Sequence, residues 1–175
     1  MKQAYFAGGC FWCITPVFRE MEGVGLVTAG YCGGDEENPA YEDVKAQKTG
    51  HRETICIGYD EKAVSFRDLL TVFLECVDPF DAGGQFIDRG ASYTTAVYFT
   101  DEAERLTAEE VLAELAKDKG KVPAVRVEPY KRFWPAEMYH QNWDLKNPEA
   151  FDKEIRESGR GFVRCPVIFR KKRIK

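Results

Sequence analysis

The stretch Gly8-Gly9-Cys10-Phe11-Trp12-Cys13 decides how this chain folds and where its chemistry lies. Upstream, Gln3-Ala4-Tyr5-Phe6-Ala7 has the composition of a short strand, and the two glycines end it. Downstream, Thr15-Pro16 predicts the start of a helix, because threonine is a good cap residue and proline favours the first helical position. The pattern therefore predicts a strand, a turn and a helix, with Cys10 in the turn.

Cys10 is the candidate nucleophile. A helix beginning at Phe11 would press the Pro16 ring against an earlier carbonyl, so we place Cys10 ahead of the helix. There the positive end of the helix dipole would lower the pKa of the thiol. The alternative is a buried cysteine that only fills space, but the setting and the nearby Cys13 favour a reactive one. Phe11 and Trp12 would form an apolar wall beside the sulfur.

Size and charge exclude several classes of protein. The chain has 175 residues, 44% of them hydrophobic and 31% charged, which is ordinary for one globular domain. We expect a single domain over residues 1–175 with an irregular C-terminal segment from about 158. The net charge of -4 argues against a nucleic-acid partner, and no apolar run is long enough for a membrane span. No secretory segment precedes the first strand, so we expect a cytoplasmic protein.

Six cysteines are too few for a disulfide scaffold in a chain of this length, and they are better interpreted as thiols. With two histidines and a single Cys-x-x-Cys, a structural zinc site fits poorly, and no metal is expected.

The order of the predicted elements indicates an α+β fold, a single-domain mixed sheet with helices packed against it. Strands are predicted at residues 3–7, 24–30, 53–59 and 94–100, with a last strand at 124–127. Helices are predicted from Thr15, from Asn38, at 66–77 behind a Ser65/Asp68 capping box, at 101–119 and at 148–157.

Four further residues could take part in chemistry. Glu53 stands at the mouth of a strand, Asp88 lies in a long loop over residues 80–90, and Tyr41 and Tyr93 lie at element junctions. Taken singly, each is more typical of a solvated carboxylate or a tyrosine at the edge of the core. A long loop in a compact domain is, however, usually functional.

Six motifs in order resemble the peptide methionine sulfoxide reductase A family, which reduces the S epimer of methionine sulfoxide. They are Gly9-Cys10-Phe11-Trp12-Cys13, Gly30-Tyr31-Cys32-Gly33-Gly34, Asn38-Pro39-Ala40-Tyr41, Gly50-His51-Arg52-Glu53, Gln85-Phe86-Ile87-Asp88-Arg89-Gly90 with Tyr93, and Glu137-Met138-Tyr139-His140-Gln141. The resemblance covers about residues 4 to 143 and implies a ferredoxin-like split β-α-β plait.

The resemblance also implies roles for the candidate residues. Cys10 matches the cysteine that attacks the sulfoxide sulfur, and Glu53 matches the acid that must hold a proton near neutral pH. Tyr41 and Tyr93 match hydroxyls that stabilise the sulfoxide oxygen, and Asp88 matches a carboxylate that holds this network.

Phe11 and Trp12 would bind the S-methyl group of the substrate. Cys10 would then be left as a sulfenic acid that a second thiol must resolve. Our first choice is Cys165, which follows a glycine-flanked segment, with Cys13 and Cys32 as alternatives. Thioredoxin would reduce the resulting disulfide, without a cofactor. The other expected partners are oxidised proteins and peptides, and we expect a monomer.

Three positions depart from the family pattern. Thr15 stands where many members have glutamate, Val77 where they have histidine, and Phe86 where they have glycine. Two other interpretations stay open. One is a glutaredoxin-like thiol-disulfide oxidoreductase that uses Cys10-x-x-Cys13, and the other is a non-catalytic metal- or partner-binding module.

Overall fold

A computed structural model describes residues 1–160, which form eight strands and six helices. The strands are β1 (Lys2–Gly8), β2 (Val24–Cys32), β3 (Arg52–Tyr59), β4 (Gly84–Gln85), β5 (Asp88–Arg89), β6 (Thr95–Phe99), β7 (Arg126–Pro129) and β8 (Phe133–Pro135). The helices are α1 (Phe11–Arg19), α2 (Tyr41–Lys45), α3 (Phe66–Cys76), α4 (Glu102–Lys119), α5 (Trp143–Lys146) and α6 (Pro148–Glu157), with a 3-10 turn at Ala91–Tyr93.

The central sheet has six strands in the order β7-β6-β1-β3-β2-β8, and β4 and β5 form a separate small hairpin. β3 lies between β1 and β2 and is antiparallel to both, while β1 lies between β3 and β6 and is antiparallel to both. These are two interlocked split β-α-β units, with α1 and α3 as their helices. β7 adds a parallel pair beside β6, so the sheet is mixed. The predicted α+β fold class and the plait are therefore confirmed.

The two faces of the sheet follow from the alternation of side chains along each strand. In β1, Phe6 points to one face, where its ring packs against those of Phe18, Phe66 and Phe73 under α1 and α3. Its neighbour Tyr5 points to the other face. The smaller cluster there comprises Tyr5, Ala7, Cys32, Cys56, Ala96 and Tyr98, partly covered by Tyr130 and Phe133.

The strand register brings distant parts of the chain to one edge of the sheet. Ala7 pairs with Thr54, and Gly8 pairs with Thr95, so the end of β1 meets the beginnings of β3 and β6. Antiparallel pairing therefore places the residues just after β1 beside those at the start of β3 and those just before β6. Cys10, Glu53 and Tyr93 occupy these three positions.

The predicted start of the first helix was wrong. α1 begins at Phe11 rather than Thr15, and Pro16 lies inside it, where no N–H is available for the Trp12 carbonyl. The first turn compensates in part, since the Thr15 hydroxyl donates to the Phe11 carbonyl at 2.7 Å. Burial of Ile14, Val17 and Phe18 along the helix also offsets the lost bond. Tertiary packing here overrides local propensity.

Other elements differ from prediction by smaller amounts. α2 begins at Tyr41, because Asn38 adopts a left-handed φ of 48° that excludes it from the helix. The strand at Arg126–Pro129 is not the last, since β8 follows and pairs with β2. The Ser65 capping box and the helix at Pro148–Glu157 are confirmed. Within the described part of the chain, no helix is both long and apolar enough to cross a membrane.

Candidate active site

Cys10 lies in the turn between β1 and α1, as predicted, and serves as the N-cap residue of that helix. Only 7% of it is exposed. The two glycines before it are needed for close packing. A Cβ on Gly8 would lie 2.6 Å from Phe73 Cε2, and Gly9 adopts a left-handed φ of 77°. Because neither glycine has a Cβ, the Phe73 and Gln85 side chains can pack closely against this turn.

The predicted lowering of the Cys10 pKa was wrong. A hydrogen bond with the Cys13 thiol, burial and the charge of Glu53 raise the pKa of Cys10 well above its ordinary value. The Arg160 guanidinium acts in the opposite direction. The helix N-terminus is present, but a buried thiol loses the hydration that a thiolate needs.

Glu53 lies against Phe11, the residue that follows Cys10. The Phe11 N–H donates to Glu53 Oε2 at 3.0 Å, and the residue is 2% exposed. Burial raises the pKa of Glu53 to about 8, against the opposing effect of the Phe11 hydrogen bond. The carboxyl is therefore mostly protonated at neutral pH. Since Oε2 accepts the backbone N–H, Oε1 is the better place for the proton.

The two candidate tyrosines are fixed by contacts behind them. The Tyr41 N–H donates to Glu137 Oε1 at 2.9 Å, and the same carboxylate accepts the Tyr31 hydroxyl at 2.8 Å through Oε2. Gln47 reaches across from the end of α2 to the 3-10 turn, where its Nε2 donates to Ser92 Oγ at 2.6 Å. Burial raises the pKa of both Tyr41 and Tyr93, so their hydroxyls stay protonated and can donate.

An aromatic wall stands beside Cys10, as the sequence predicted. Trp12 stacks on Trp143 with ring centroids 4.1 Å apart, and its indole N–H donates to His140 Nδ1 at 3.1 Å. The His140 ring also packs against Phe11 and Tyr41, with ring centroids 5.1 Å and 4.3 Å apart, respectively. Burial lowers the pKa of His140 to about 4, so the ring is neutral and accepts through Nδ1. Sequence reasoning recognised the Glu137–Gln141 motif but gave His140 no specific role.

Asp88 also lines the site. Burial raises the pKa of its carboxyl, while the nearby Arg160 guanidinium opposes that shift with Nη2 3.8 Å from Asp88 Oδ2. Burial and the charge of Asp88 also raise the pKa of Glu154, which belongs to α6. The C-terminal helix thus contributes charged groups to the site.

A single cavity of about 220 Å³ brings these groups together. Its lining comprises Cys10, Phe11, Trp12, Tyr41, Lys45, Glu53, Asp88, Tyr93 and Glu154. All seven residues to which the sequence gave catalytic or substrate-binding roles are among them. Lys45 and Glu154 were missed. Lys45 lies one helical turn after Tyr41, which is a usable signal, whereas nothing in the sequence connects Glu154 with the site.

The candidate resolving cysteines lie in three different settings. Cys13 is in the first turn of α1, buried, with its N–H donating to the Cys10 carbonyl at 3.1 Å. Cys32 pairs with Arg52 in the sheet, next to the Tyr31–Glu53 pair, so it faces away from Glu53 and belongs to the cluster on the other face. Cys165 lies outside the described residues. Of the two that are described, only Cys13 adjoins Cys10.

Comparisons with known proteins give the family of this chain. The family model described as peptide methionine sulfoxide reductase matches residues 2–163. This chain belongs to the peptide methionine sulfoxide reductase family. Its activity is the reduction of methionine-S-sulfoxide in peptides, and the glutaredoxin-like alternative is not favoured.

Relatives of this reductase span nearly its whole length. It is 41% identical over 162 residues to the peptide methionine sulfoxide reductase MsrA 2 of Staphylococcus aureus, with 91% of each chain covered. Reduced Mxr1 from Saccharomyces cerevisiae superposes with a TM-score of 0.80 at 27% identity, covering 85% of this chain and 86% of that one. A structure of Mxr1 in complex with Trx2 shares the fold at a TM-score of 0.56 and 19% identity, with coverage of 81% and 84%.

Proposed function

We propose that Cys10 is the nucleophile and Glu53 the proton donor of this reductase. The observation that carries the proposal is the position of Glu53. Burial raises the pKa of this carboxyl to about 8. It accepts a hydrogen bond from Phe11, the residue after Cys10, and lines the same cavity as Cys10. A general acid with such a pKa retains its proton at neutral pH and can still release it.

In the first step the Cys10 sulfur attacks the sulfoxide sulfur while Glu53 protonates the oxygen. The attack forms a bond between the two sulfurs, and the S–O bond of the substrate breaks. When the oxygen then bonds to the Cys10 sulfur, the sulfur–sulfur bond breaks, methionine leaves reduced, and Cys10 remains oxidised as a sulfenic acid. The thiol proton of Cys10 balances the one that Glu53 gives up, so Glu53 is protonated again at the end of the step.

The surrounding side chains stabilise this step. The hydroxyls of Tyr41 and Tyr93 stay protonated and donate hydrogen bonds to the sulfoxide oxygen, on which negative charge develops as the bond breaks. Phe11 and Trp12 bind the methyl group, because apolar rings favour a buried methyl over water. Asp88 holds the polar side of the cavity together through Arg160.

We propose Cys13 rather than Cys165 as the resolving cysteine. Its thiol is hydrogen-bonded to that of Cys10, and both lie in the first turn of one helix. Attack of the Cys13 thiol on the Cys10 sulfenic acid forms the disulfide and releases one water molecule. This step requires no rearrangement of the sheet, whereas Cys32 would have to cross from its other face.

We propose that thioredoxin reduces the disulfide, oxidising its own dithiol, which is supported by the complex of Mxr1 with Trx2. Oxidised proteins and peptides are the proposed substrates, and a reducing compartment such as the cytoplasm is the proposed location. A monomeric protein with one domain over residues 1–175 would be sufficient for this cycle.

The test is a single turnover with a peptide that contains methionine-S-sulfoxide, without an external reductant. The wild-type protein should form one methionine per chain and a Cys10–Cys13 disulfide, identified by mass mapping. Cys10→Ser should form no methionine. Cys13→Ser should still form one methionine but leave a sulfenic acid on Cys10, which dimedone labels.

Cys32→Ser is the matched control, since it removes a buried thiol from the other face of the sheet and should turn over normally. Methionine formation by Cys10→Ser would contradict the nucleophile. A wild-type disulfide mapped to Cys165 would contradict the role of Cys13 alone and leave the first step intact.

A further inference from the structure

Arg160 is a buried cation for which the sequence predicted no role, and its only role in the proposed chemistry is its contact with Asp88. It follows α6, and its side chain is 4% exposed. Its Nη2 donates to the Gly8 carbonyl at 3.4 Å and lies 3.8 Å from Asp88 Oδ2. Among residues 1–160, Nε and Nη1 find no hydrogen-bond partner. A guanidinium so incompletely paired is costly to bury, which calls for a function.

The turn before Cys10 is shaped to admit this guanidinium. A Cβ on Gly9 would lie 2.5 Å from Arg160 Nη2, so a larger residue there would displace the guanidinium from this position. On its other side the guanidinium packs over the Phe86 ring, with Cζ 4.9 Å from the centroid. Phe86 holds a left-handed φ of 55° that is unfavourable for a phenylalanine. The ring that supports Arg160 is thus retained at a backbone cost.

We propose that Arg160 is a positioning residue that stabilises the thiolate of Cys10 from behind the Gly8–Gly9 turn. Burial and the Cys13 and Glu53 side chains all disfavour a negative charge on Cys10, and Arg160 is the cation that opposes them. The other titratable groups that face this region are Asp88, Glu154, Lys45 and the hydroxyls of Tyr41 and Tyr93. A positive charge close to a buried thiol favours the thiolate, and low dielectric makes this effect larger than in water.

Thiolate formation can be measured without the sulfoxide reaction, and this separates the proposal from the roles of Glu53 and Cys13. Iodoacetamide alkylates a thiolate and not a thiol. The rate of alkylation of Cys10 is followed against pH by fragment mass spectrometry, which distinguishes Cys10 from Cys13.

Arg160→Gln should move the midpoint of alkylation to higher pH by about one unit, which is about a tenfold slower alkylation at neutral pH. Arg160→Lys retains the charge and should restore part of the rate. Phe86→Gly removes the supporting ring while relieving the unfavourable φ, so it should shift the midpoint in the same direction, by less, without loss of folding.

Arg19→Gln is the matched control. Arg19 is a partly buried arginine at the far end of α1, paired with Asp144, and its loss should leave the alkylation midpoint unchanged. If Arg160→Gln remains folded and alkylates Cys10 with the wild-type pH profile, the proposal is wrong. An equal shift in Arg19→Gln would show a general effect of lost stability and would equally overturn it.

Discussion

Arg52 and Glu53, the first two residues of β3, point to opposite faces of the sheet and differ in how their charges are compensated. Arg52 points to the face of the sheet that carries Cys32, where its Nη1 donates to Glu128 Oε2 at 3.0 Å and to the Tyr98 hydroxyl at 2.8 Å. Glu53 points to the face that carries Cys10 and accepts one backbone N–H. The first is a balanced ion pair, and the second is a buried acid that forms no ion pair with any of residues 1–160.

The difference shows what distinguishes a supporting cluster from a site in this fold. Both faces bury cysteine, tyrosine and a charged group at the same edge of the sheet. On the Arg52 face the charge is neutralised and each polar group holds another in place. On the Glu53 face the compensation is left incomplete, which raises the pKa of the carboxyl and leaves its proton available for reaction.

The strongest test of this contrast exchanges one carboxyl for an amide on each face. Glu53→Gln should slow the single-turnover reaction by about a hundredfold or more, because no proton can be donated to the sulfoxide oxygen. Peptide binding should change little, since glutamine can still accept the Phe11 N–H. Rapid-quench measurement of methionine formation gives the rate.

Glu128→Gln is the counterpart on the other face. It weakens the pairing of Arg52 and should lower the free energy of unfolding by about 2 kcal/mol. Its single-turnover rate per folded molecule should stay close to that of the wild type. An unchanged rate in Glu53→Gln, or an equal loss in Glu128→Gln, would mean that the two faces do not differ in this way.

Removal of a tyrosine hydroxyl from the site should have a smaller effect on the single-turnover rate. Tyr41→Phe or Tyr93→Phe should each reduce the single-turnover rate by about tenfold, because one donor to the sulfoxide oxygen remains. Tyr98→Phe should instead reduce stability by about 1 kcal/mol, since its hydroxyl serves Arg52 and the Cys32 carbonyl. Rates and urea unfolding, measured on the same preparations, decide between the two outcomes.

Much of this contrast could be predicted from the sequence. The strand at 53–59, the glycine turn and the long loop are local patterns, and antiparallel register then brings Cys10, Glu53 and Tyr93 together. The position of Cys10 in the turn between a strand and a helix was also predicted correctly, although the helix begins four residues earlier than predicted.

What could not be predicted depends on packing between distant segments. Local rules disfavour a helix that begins at Phe11, because Pro16 would lie inside it. Burial of the apolar face of α1 stabilises this helix nevertheless. β8 has three residues and depends on β2 for its pairing. The raised pKa of Cys10 depends on its burial in the folded chain. The approach of Arg160 and Glu154 brings in side chains from α6 and the segment after it, which no spacing rule connects with residue 10.

The third test of the contrast is the pH dependence of stability. Burial raises the pKa of Glu53 from 4.5 to about 8, so between these values the folded chain holds a proton that the unfolded chain has released. The free energy of unfolding therefore falls as pH rises, by about 1 kcal/mol between about pH 6 and about pH 7 from this group.

Glu53→Gln should remove this decline and be relatively more stable at the higher pH, as measured by urea unfolding. Asp68→Asn is a control of opposite sign, because hydrogen bonds from Ser65 lower the pKa of Asp68 and its contribution is lost only as pH falls into the acid range. A wild-type protein and a Glu53→Gln variant with parallel pH profiles would indicate that Glu53 is already ionised at neutral pH. The proton for the sulfoxide oxygen would then have to come from another group.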